Sequence, residues 1–201
     1  MINLAKVKLP DCIEAAGSFY KIQTDFRSWL NFSRIVNTKD AVVDDVDFIY
    51  TDIIPPTEIK KEAFEKLLEF FQPKNEFPRS SGSEETGGKI LDYQIDADLI
   101  YAAFYEQYGI NLLATDDSGH AVQMHWHVFL ALLSGLHNTK LNDVMAWRSW
   151  DGDTKTDYGK QMQKLRNAWE LPEDTDNNVQ NNLEKFNELF TGKNYSSSAG
   201  S

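Results

Sequence analysis

The feature that most constrains this chain is the spacing of its apolar residues, which recur every three to four positions from about residue 26 onward. That spacing places them on one face of a helix, whereas strand-like patterns occur only within the first 25 residues. The sequence therefore predicts a mainly α fold. We expect a compact helical domain of about seven to eight helices with a small N-terminal β-hairpin.

The hairpin prediction rests on two short runs of strand-forming residues, at 12–15 and 19–22. Gly17 and Ser18 lie between the runs and predict a two-residue turn. A single hairpin is marginally stable in water, so we expect it to pack against helices.

The first half of the chain predicts two helices and a weaker segment between them. Thr24 or Asp25 can cap the first helix through a side-chain oxygen. The weaker segment covers about 39–50. Thr57 is expected to cap the second helix, which ends before Pro73.

The second half predicts three further helices up to residue 149. Asp96 and Asp98 favour the N-terminus of the first, and Gly109 is expected to end it in the left-handed conformation. Residues 124–133 are apolar on nearly all sides, which predicts a central, buried helix. A short helix at about 140–149 follows.

Two narrow apolar stripes close the chain, and each advances by four, three and four residues. They are Tyr158, Met162, Leu165, Trp169 and then Val179, Leu183, Phe186, Phe190. Such stripes resemble a coiled-coil seam, and aromatic residues and Met are enriched at protein interfaces. The candidate partner-binding residues are Trp169, Val179, Leu183, Phe186 and Phe190.

The expected domain organisation follows from composition. Residues 1–172 are predicted to form the helical domain, with a flexible loop at 73–89 that is rich in Ser, Gly and Glu. Residues 173–201 are predicted to contain a polar joint, a peripheral helix and a disordered tail.

The charge balance limits the classes of partner. The chain has 20 Lys and Arg against 31 Asp and Glu, a net charge of -11, and we find no local basic patch. Nucleic acids and anionic membranes both select basic surfaces, so neither is expected as a partner. The single cysteine, Cys12, excludes an internal disulfide and favours a reducing compartment.

The four histidines do not predict a metal site. On a helix, residues two positions apart point in nearly opposite directions, so His125 and His127 are not expected to share an ion. The helical zinc motif needs a spacing of four, which is absent. The acidic run at 40–52 lacks the calcium-loop pattern, and Asp151 and Asp153 are better explained by a turn. We expect no metal and no cofactor.

No catalytic motif is present either. The chain lacks a G-x-S-x-G elbow and a phosphate-binding P-loop, and Cys12 has no histidine near it in sequence. We therefore expect a protein that is not an enzyme.

Several segments, in their order along the chain, resemble the bacteriophage "gene product 15" family of tailed phages of Gram-positive hosts. The similarity covers about residues 11–172, and it departs from the family pattern at His127 and Trp147. The segments are D-F-R-S-W-L at 25–30, D-Y-Q-I-D-A-D-L-I-Y-A-A-F at 92–104, M-H-W-H-V-F-L-A-L-L-S-G-L at 124–136, W-R at 147–148 and K-L-R-N-A-W-E-L-P at 164–172. The matching structural residues are Asp25, Phe26, Arg27, Trp29, Asp96, Asp98, Tyr101, Phe104, His125, Trp126, Phe129 and Arg148.

The resemblance implies a tail-assembly chaperone of long-tailed phages, without enzymatic activity, that acts in the host cytoplasm. The implied partner is the tape-measure protein, and the major tail protein or an upstream chaperone partner are further candidates. A homo-oligomer is also compatible with the resemblance. Neither a nucleic acid nor a membrane is implied.

Two other functions remain open at this point. One is a small helical hydrolase that uses Asp116, His120 or His125. The other is an acidic DNA mimic that blocks a basic partner, although the diffuse spread of acidic residues weakens this hypothesis.

Overall fold

The computed structural model describes residues 2–38, 41–72 and 90–172. Within these ranges the chain forms two strands, six α-helices and two 3-10 helices, which confirms the mainly α fold with a small hairpin. The strands are β1 (Cys12–Ala15) and β2 (Ser18–Lys21); the helices are α1 (Phe26–Val36), α2 (Lys60–Phe71), α3 (Ala97–Tyr108), α4 (Trp126–Ser134), α5 (Lys140–Ser149) and α6 (Asp157–Trp169), with 3-10 helices at Val43–Ile49 and Thr57–Ile59. The predicted loop at 73–89 and all of 173–201 lie outside the described residues.

The described residues belong to two compact units. The hairpin unit contains Pro10–Gln23 and the described residues of Arg27–Gln72. The α3–α6 unit contains 2–9, Thr24–Phe26 and 90–172.

The hairpin turn lies one residue earlier than predicted. Ala15 pairs with Ser18, so Ala16 and Gly17 form the turn instead of Gly17 and Ser18. Both turn residues have positive φ, 48° and 73°, which is the signature of a type I′ turn that matches the twist of the strands. Glu62 of α2 supports the strained alanine, because its Oε1 accepts a 2.8 Å hydrogen bond from the Ala16 N–H.

The core of the hairpin unit is aromatic. Trp29 of α1 is fully buried, and its ring stacks on Phe70 of α2 with centroids 4.6 Å apart. The Trp29 Nε1–H donates to the Gln23 carbonyl oxygen at 2.8 Å, which satisfies its one polar group.

The segment between α1 and α2 is helical only as 3-10 turns. Val43–Ile49 buries Val46 and Ile49. Thr57 does not cap α2 as predicted: it lies inside the 3-10 helix Thr57–Ile59, and Ile59 occupies the N-cap position without a side-chain hydrogen bond. The two prolines before Thr57 favour an extended entry, and the chain tightens into a 3-10 turn before α2 begins.

In the α3–α6 unit the core is built around Phe129 of α4. Its ring stacks on Phe26 at 4.8 Å, on Phe104 of α3 at 5.2 Å and on Trp126 at 5.6 Å, centroid to centroid. Phe104 and Trp126 are fully buried. As predicted, α3 ends at Gly109, whose φ of 66° is left-handed.

The prediction that residues 124–133 form a central, buried helix is wrong for most of α4. Trp126, His127 and Phe129 are its buried residues, whereas its valine and its three leucines are half-buried. These are Val128, Leu130, Leu132 and Leu133. An apolar composition on all sides therefore did not mean central placement, because α4 spans only nine residues and only its first turn enters the aromatic core.

Candidate partner-binding surfaces

A buried ion pair joins distant segments of the α3–α6 unit. Arg148, near the end of α5, donates from Nη1 and Nη2 to the two carboxylate oxygens of Asp96 at 2.6 and 2.9 Å. Asp96 is 1% exposed and Arg148 is 8% exposed. The two-pronged geometry matches a guanidinium to a carboxylate, which is the favourable way to bury both charges.

The same guanidinium also binds two backbone carbonyls. Arg148 Nη1 donates to the Ile90 oxygen at 3.1 Å, and Nε donates to the Trp169 oxygen at 2.6 Å. Asp96 in turn accepts from the Asp92 N–H at 2.9 Å. The position of Asp96 near the start of α3 had suggested an exposed charge that complements the helix dipole. Asp96 is instead a buried partner of Arg148.

The start of α6 is fixed by one cap and one close approach. Thr156 caps the helix, and its Oγ1 accepts from the Gly159 N–H at 2.9 Å. A Cβ on Gly159 would collide with the Asp153 carbonyl oxygen. Only glycine fits there, so the loop before α6 closes directly on the helix. Asp153 Oδ1 accepts from the Lys155 N–H at 2.8 Å, as the predicted turn requires.

The first predicted stripe lies at the surface. Tyr158 is 68% exposed, and Met162, Leu165 and Trp169 are half-buried. Gly159 is the buried residue of α6 among those described. The helix therefore carries an apolar edge that the described residues of its unit cover only in part.

At the far end of α6 an aromatic pair meets α5. The rings of Trp169 and Trp147 lie 6.0 Å apart, centroid to centroid. Lys140 Nζ stands 4.0 Å from the centroid of Trp147 and 5.5 Å from that of Trp169. A cation this close to an indole face is a favourable cation–π contact. Of the predicted partner-binding residues, Trp169 is therefore engaged with α5, and Val179, Leu183, Phe186 and Phe190 lie outside the described residues.

The structure brings the family-motif residues at 25 and 125 together. Asp25 and His125 form an antiparallel bridge, with the Trp126 N–H donating to the Thr24 oxygen at 2.7 Å. The Asp25 carboxylate accepts from the Met124 N–H at 3.0 Å. These contacts fix the entry to α4.

The remaining motif residues differ in burial. Tyr101 is half-buried and stacks on Tyr105 at 6.3 Å, Asp98 is exposed, and Arg27 is half-buried.

The two central histidines are closer than predicted. His125 precedes α4 as its N-cap, so the two residues do not follow helical geometry, and their rings lie 5.2 Å apart. Nδ1 of His125 accepts a 3.0 Å hydrogen bond from the His127 N–H. In the described part of the chain no group of His, Cys, Asp and Glu side chains is arranged to hold a metal ion.

The three residues suggested for hydrolysis, Asp116, His120 and His125, are not shown to form one cluster. His120 Nδ1 lies 3.8 Å from Asp116 Oδ1, with both side chains largely exposed, whereas His125 caps α4. Burial, together with the neighbouring Asp11 charge, raises the pKa of the Cys12 thiol, which disfavours the thiolate. Burial also raises the pKa of Tyr93, which packs edge-on to Trp126, to about 12.

None of the described helices is long and apolar enough to cross a bilayer. The fold thus defines a small, mainly helical protein with an N-terminal hairpin. The family model described as Bacteriophage Gp15 protein matches residues 6–171, well over half of the chain. The chain belongs to this bacteriophage family. No curated protein and no solved structure matches it.

Sequence reasoning missed the pairing of Asp96 with Arg148, although it selected both residues as family-motif positions. It also missed the role of Lys140 over the two tryptophans. Arg148 lies on the same face of α5 as the apolar residues Leu141 and Val144, and this position could have indicated a buried charge. Spacing alone does not identify the residue that pairs with it.

Proposed function

We propose that the protein is a tail-assembly chaperone that binds the tape-measure protein in the host cytoplasm and assists assembly of the tail tube without enzymatic activity. Membership of the bacteriophage Gp15 family supports a phage structural or assembly role, and the more specific role is our inference.

The observation that carries the proposal is the apolar edge of α6, defined by Tyr158, Met162, Leu165 and Trp169. A long helical partner exposes apolar stripes of its own, which aggregate unless they are covered. An edge with four-three-four spacing packs against such a stripe in the helix-in-groove manner. Tyr158 supplies an exposed aromatic anchor, the residue type that most often dominates binding energy.

The test is co-expression with the tape-measure protein of the same phage. We expect the chain to raise the soluble yield of the tape measure and to co-purify with it through an affinity tag. If the wild-type chain does neither, the chaperone proposal is wrong.

A matched pair of variants locates the surface. Tyr158→Asp should reduce co-purification by about tenfold, the size expected when one aromatic anchor is lost. Tyr105→Asp is the control, because Tyr105 is also an exposed tyrosine on a helix of the same unit, 59% exposed. Equal losses in both variants, or none in either, would show that α6 is not the binding surface.

The second stripe provides a separate arm of the test. Phe186→Asp together with Phe190→Asp should also weaken co-purification while the far-UV spectrum is unchanged. If co-purification falls only in the Phe186→Asp, Phe190→Asp variant and not in Tyr158→Asp, the proposed contact would be the second stripe and not α6.

A further inference from the structure

A groove in the hairpin unit lies between β1 and α2. Its volume is about 480 Å³. The lining residues are Ile13, Glu14, Ala16, Gly17, Glu62, Lys66, Glu69 and Phe70.

One wall of the groove is formed by Ile13 and Glu14 of β1. Ile22 donates its N–H to the Asp11 oxygen, which makes the facing pair of Asp11 and Ile22 a hydrogen-bonded one. Hydrogen-bonded and non-bonded pairs alternate along an antiparallel ladder. The pairs Cys12–Lys21 and Glu14–Phe19 are therefore non-bonded, and their backbone groups point away from the opposite strand.

The two outer edges of the hairpin are used differently. On β2, the outward carbonyl of Lys21 accepts from the Thr51 N–H at 3.1 Å. On β1, no backbone hydrogen bond from the described residues reaches the outward groups of Glu14. An exposed row of N–H and C=O groups is a template for another strand.

The other wall is a row of charged side chains on α2. Glu62, Lys66 and Glu69 are spaced by four and three, so they lie on one face of the helix. The row is about 10 Å long, close to the length of a three-residue extended segment. Lys66 Nζ pairs with Glu69 Oε2 at 3.1 Å. The α2 wall of the groove therefore carries two carboxylates against one ammonium.

We propose that this groove binds an extended, lysine- or arginine-bearing segment of a protein partner, which adds as a strand to the free edge of β1. Main-chain hydrogen bonds to Cys12 and Glu14 supply the pairing. Alternate side chains of an added strand face the same side as Ile13, whose buried side chain lies on the face that packs against α2. A basic residue opposite Ile13 is thereby directed to the carboxylates of α2.

The proposal does not depend on the tape measure, because it concerns a different unit and an extended partner. The probe is a fluorescein-labelled hexapeptide that alternates lysine with valine, titrated into the full-length chain and followed by fluorescence anisotropy. Two further peptides serve as controls: one replaces lysine with glutamate, and one keeps lysine but is N-methylated on its backbone.

The lysine peptide should bind at least tenfold more tightly than either control peptide. N-methylation removes the backbone donors and leaves the charge, so it separates strand addition from simple attraction. Equal binding of the lysine peptide and its N-methylated form would overturn strand addition, and equal binding of the glutamate peptide would overturn the preference for basic segments.

Protein variants place the site. Glu69→Lys should weaken binding of the lysine peptide by about tenfold at low salt, because attraction becomes repulsion. Glu65→Lys is the matched control, an exposed glutamate of α2 that does not line the groove, and should change it less than threefold. If both variants weaken binding equally, the groove is not the site.

A second copy of the chain is the competing occupant. Sedimentation of the chain alone tests this, with Glu14→Pro as the variant because proline removes an outward N–H that β2 does not use. A wild-type dimer that dissociates in the Glu14→Pro variant would overturn the proposal. The proposal is supported if the wild-type chain is a monomer that binds the lysine peptide, and if Glu14→Pro abolishes this binding while its far-UV spectrum is unchanged.

Discussion

Helices α4 and α6 belong to the same unit but are held in opposite ways. The first turn of α4 enters a stack of aromatic rings around Phe129, where rings lie 4.8 to 5.6 Å apart. Among the described residues α6 buries Gly159, and polar contacts hold its two ends: the Thr156 cap and the Arg148 hydrogen bond to Trp169. Between these ends α6 packs along α5 with most of its stripe half-buried, and Tyr158 at the start of the stripe stays exposed, where a partner can reach it.

The largest expected effect tests the aromatic core. Phe129→Ala should lower the free energy of unfolding by about 4 kcal/mol, because it removes a buried ring and leaves a cavity among three others. Chemical denaturation gives the value. Leu130→Ala, a half-buried neighbour on α4, should cost clearly less, and equal costs would contradict the placement of Phe129 at the centre.

The next effect tests the buried ion pair. Asp96→Ala should lower the free energy of unfolding by about 3 kcal/mol, because it leaves the Arg148 guanidinium buried without its counter-charge. The double variant Asp96→Leu with Arg148→Met should recover part of the loss, because it removes the uncompensated charge but also the donor to the Ile90 and Trp169 carbonyls. A double variant as unstable as the single would show that these hydrogen bonds, and not the uncompensated charge, account for the loss.

A smaller effect should be confined to α6. Gly159→Ala should cost about 2 kcal/mol, because its Cβ would collide with the Asp153 carbonyl and the helix must shift. Hydrogen exchange should rise in α6 more than in α4. Asn167→Ala, exposed on α6, is the control and should stay within about 0.5 kcal/mol of wild type.

The helix cap predicts a still smaller loss. Thr156→Ala should cost about 1 kcal/mol, because the Gly159 N–H loses its side-chain acceptor. Thr156→Ser keeps the hydroxyl and should retain most of that stability. If alanine and serine are equally destabilising, the hydroxyl is not the stabilising group.

The smallest expected effect on stability is for a substitution on the candidate partner-binding edge of α6. Tyr158→Ser should change the free energy of unfolding by less than about 0.5 kcal/mol, as expected for an exposed side chain. A thermal or chemical unfolding curve decides this. A loss above 1 kcal/mol would mean that Tyr158 packs against its own chain, which would remove the physical basis for assigning it to a partner.

Much of the secondary structure could be predicted because it depends on neighbours in sequence. Gly109 ends α3 in the left-handed conformation, as a residue without a Cβ readily does. The errors were small displacements: α2 begins beyond Thr57, after a 3-10 turn, and the hairpin turn lies one residue earlier than predicted, with Ala16 at positive φ. Neither shift changes the class of element.

Of the two candidate surfaces, one could be predicted from the sequence and the other could not. Spacing alone identified the stripe from Tyr158 to Trp169, because residues three and four apart share a helix face. Whether that stripe was covered depended on the packing of α6, and the tertiary structure left Tyr158 exposed. The groove beside β1 required the hairpin and α2 to meet, and no sequence pattern indicated it.

The sequence by itself determined that this chain is helical with one N-terminal hairpin, and its motifs were sufficient to place it in a bacteriophage family. Only the tertiary structure decided that Asp96 pairs with Arg148, 52 positions away, and that the buried residues of α4 lie in its first turn. Periodicity specifies which face of an element is apolar. It does not specify which distant element covers that face, because burial and charge pairing arise between residues brought together by the whole fold.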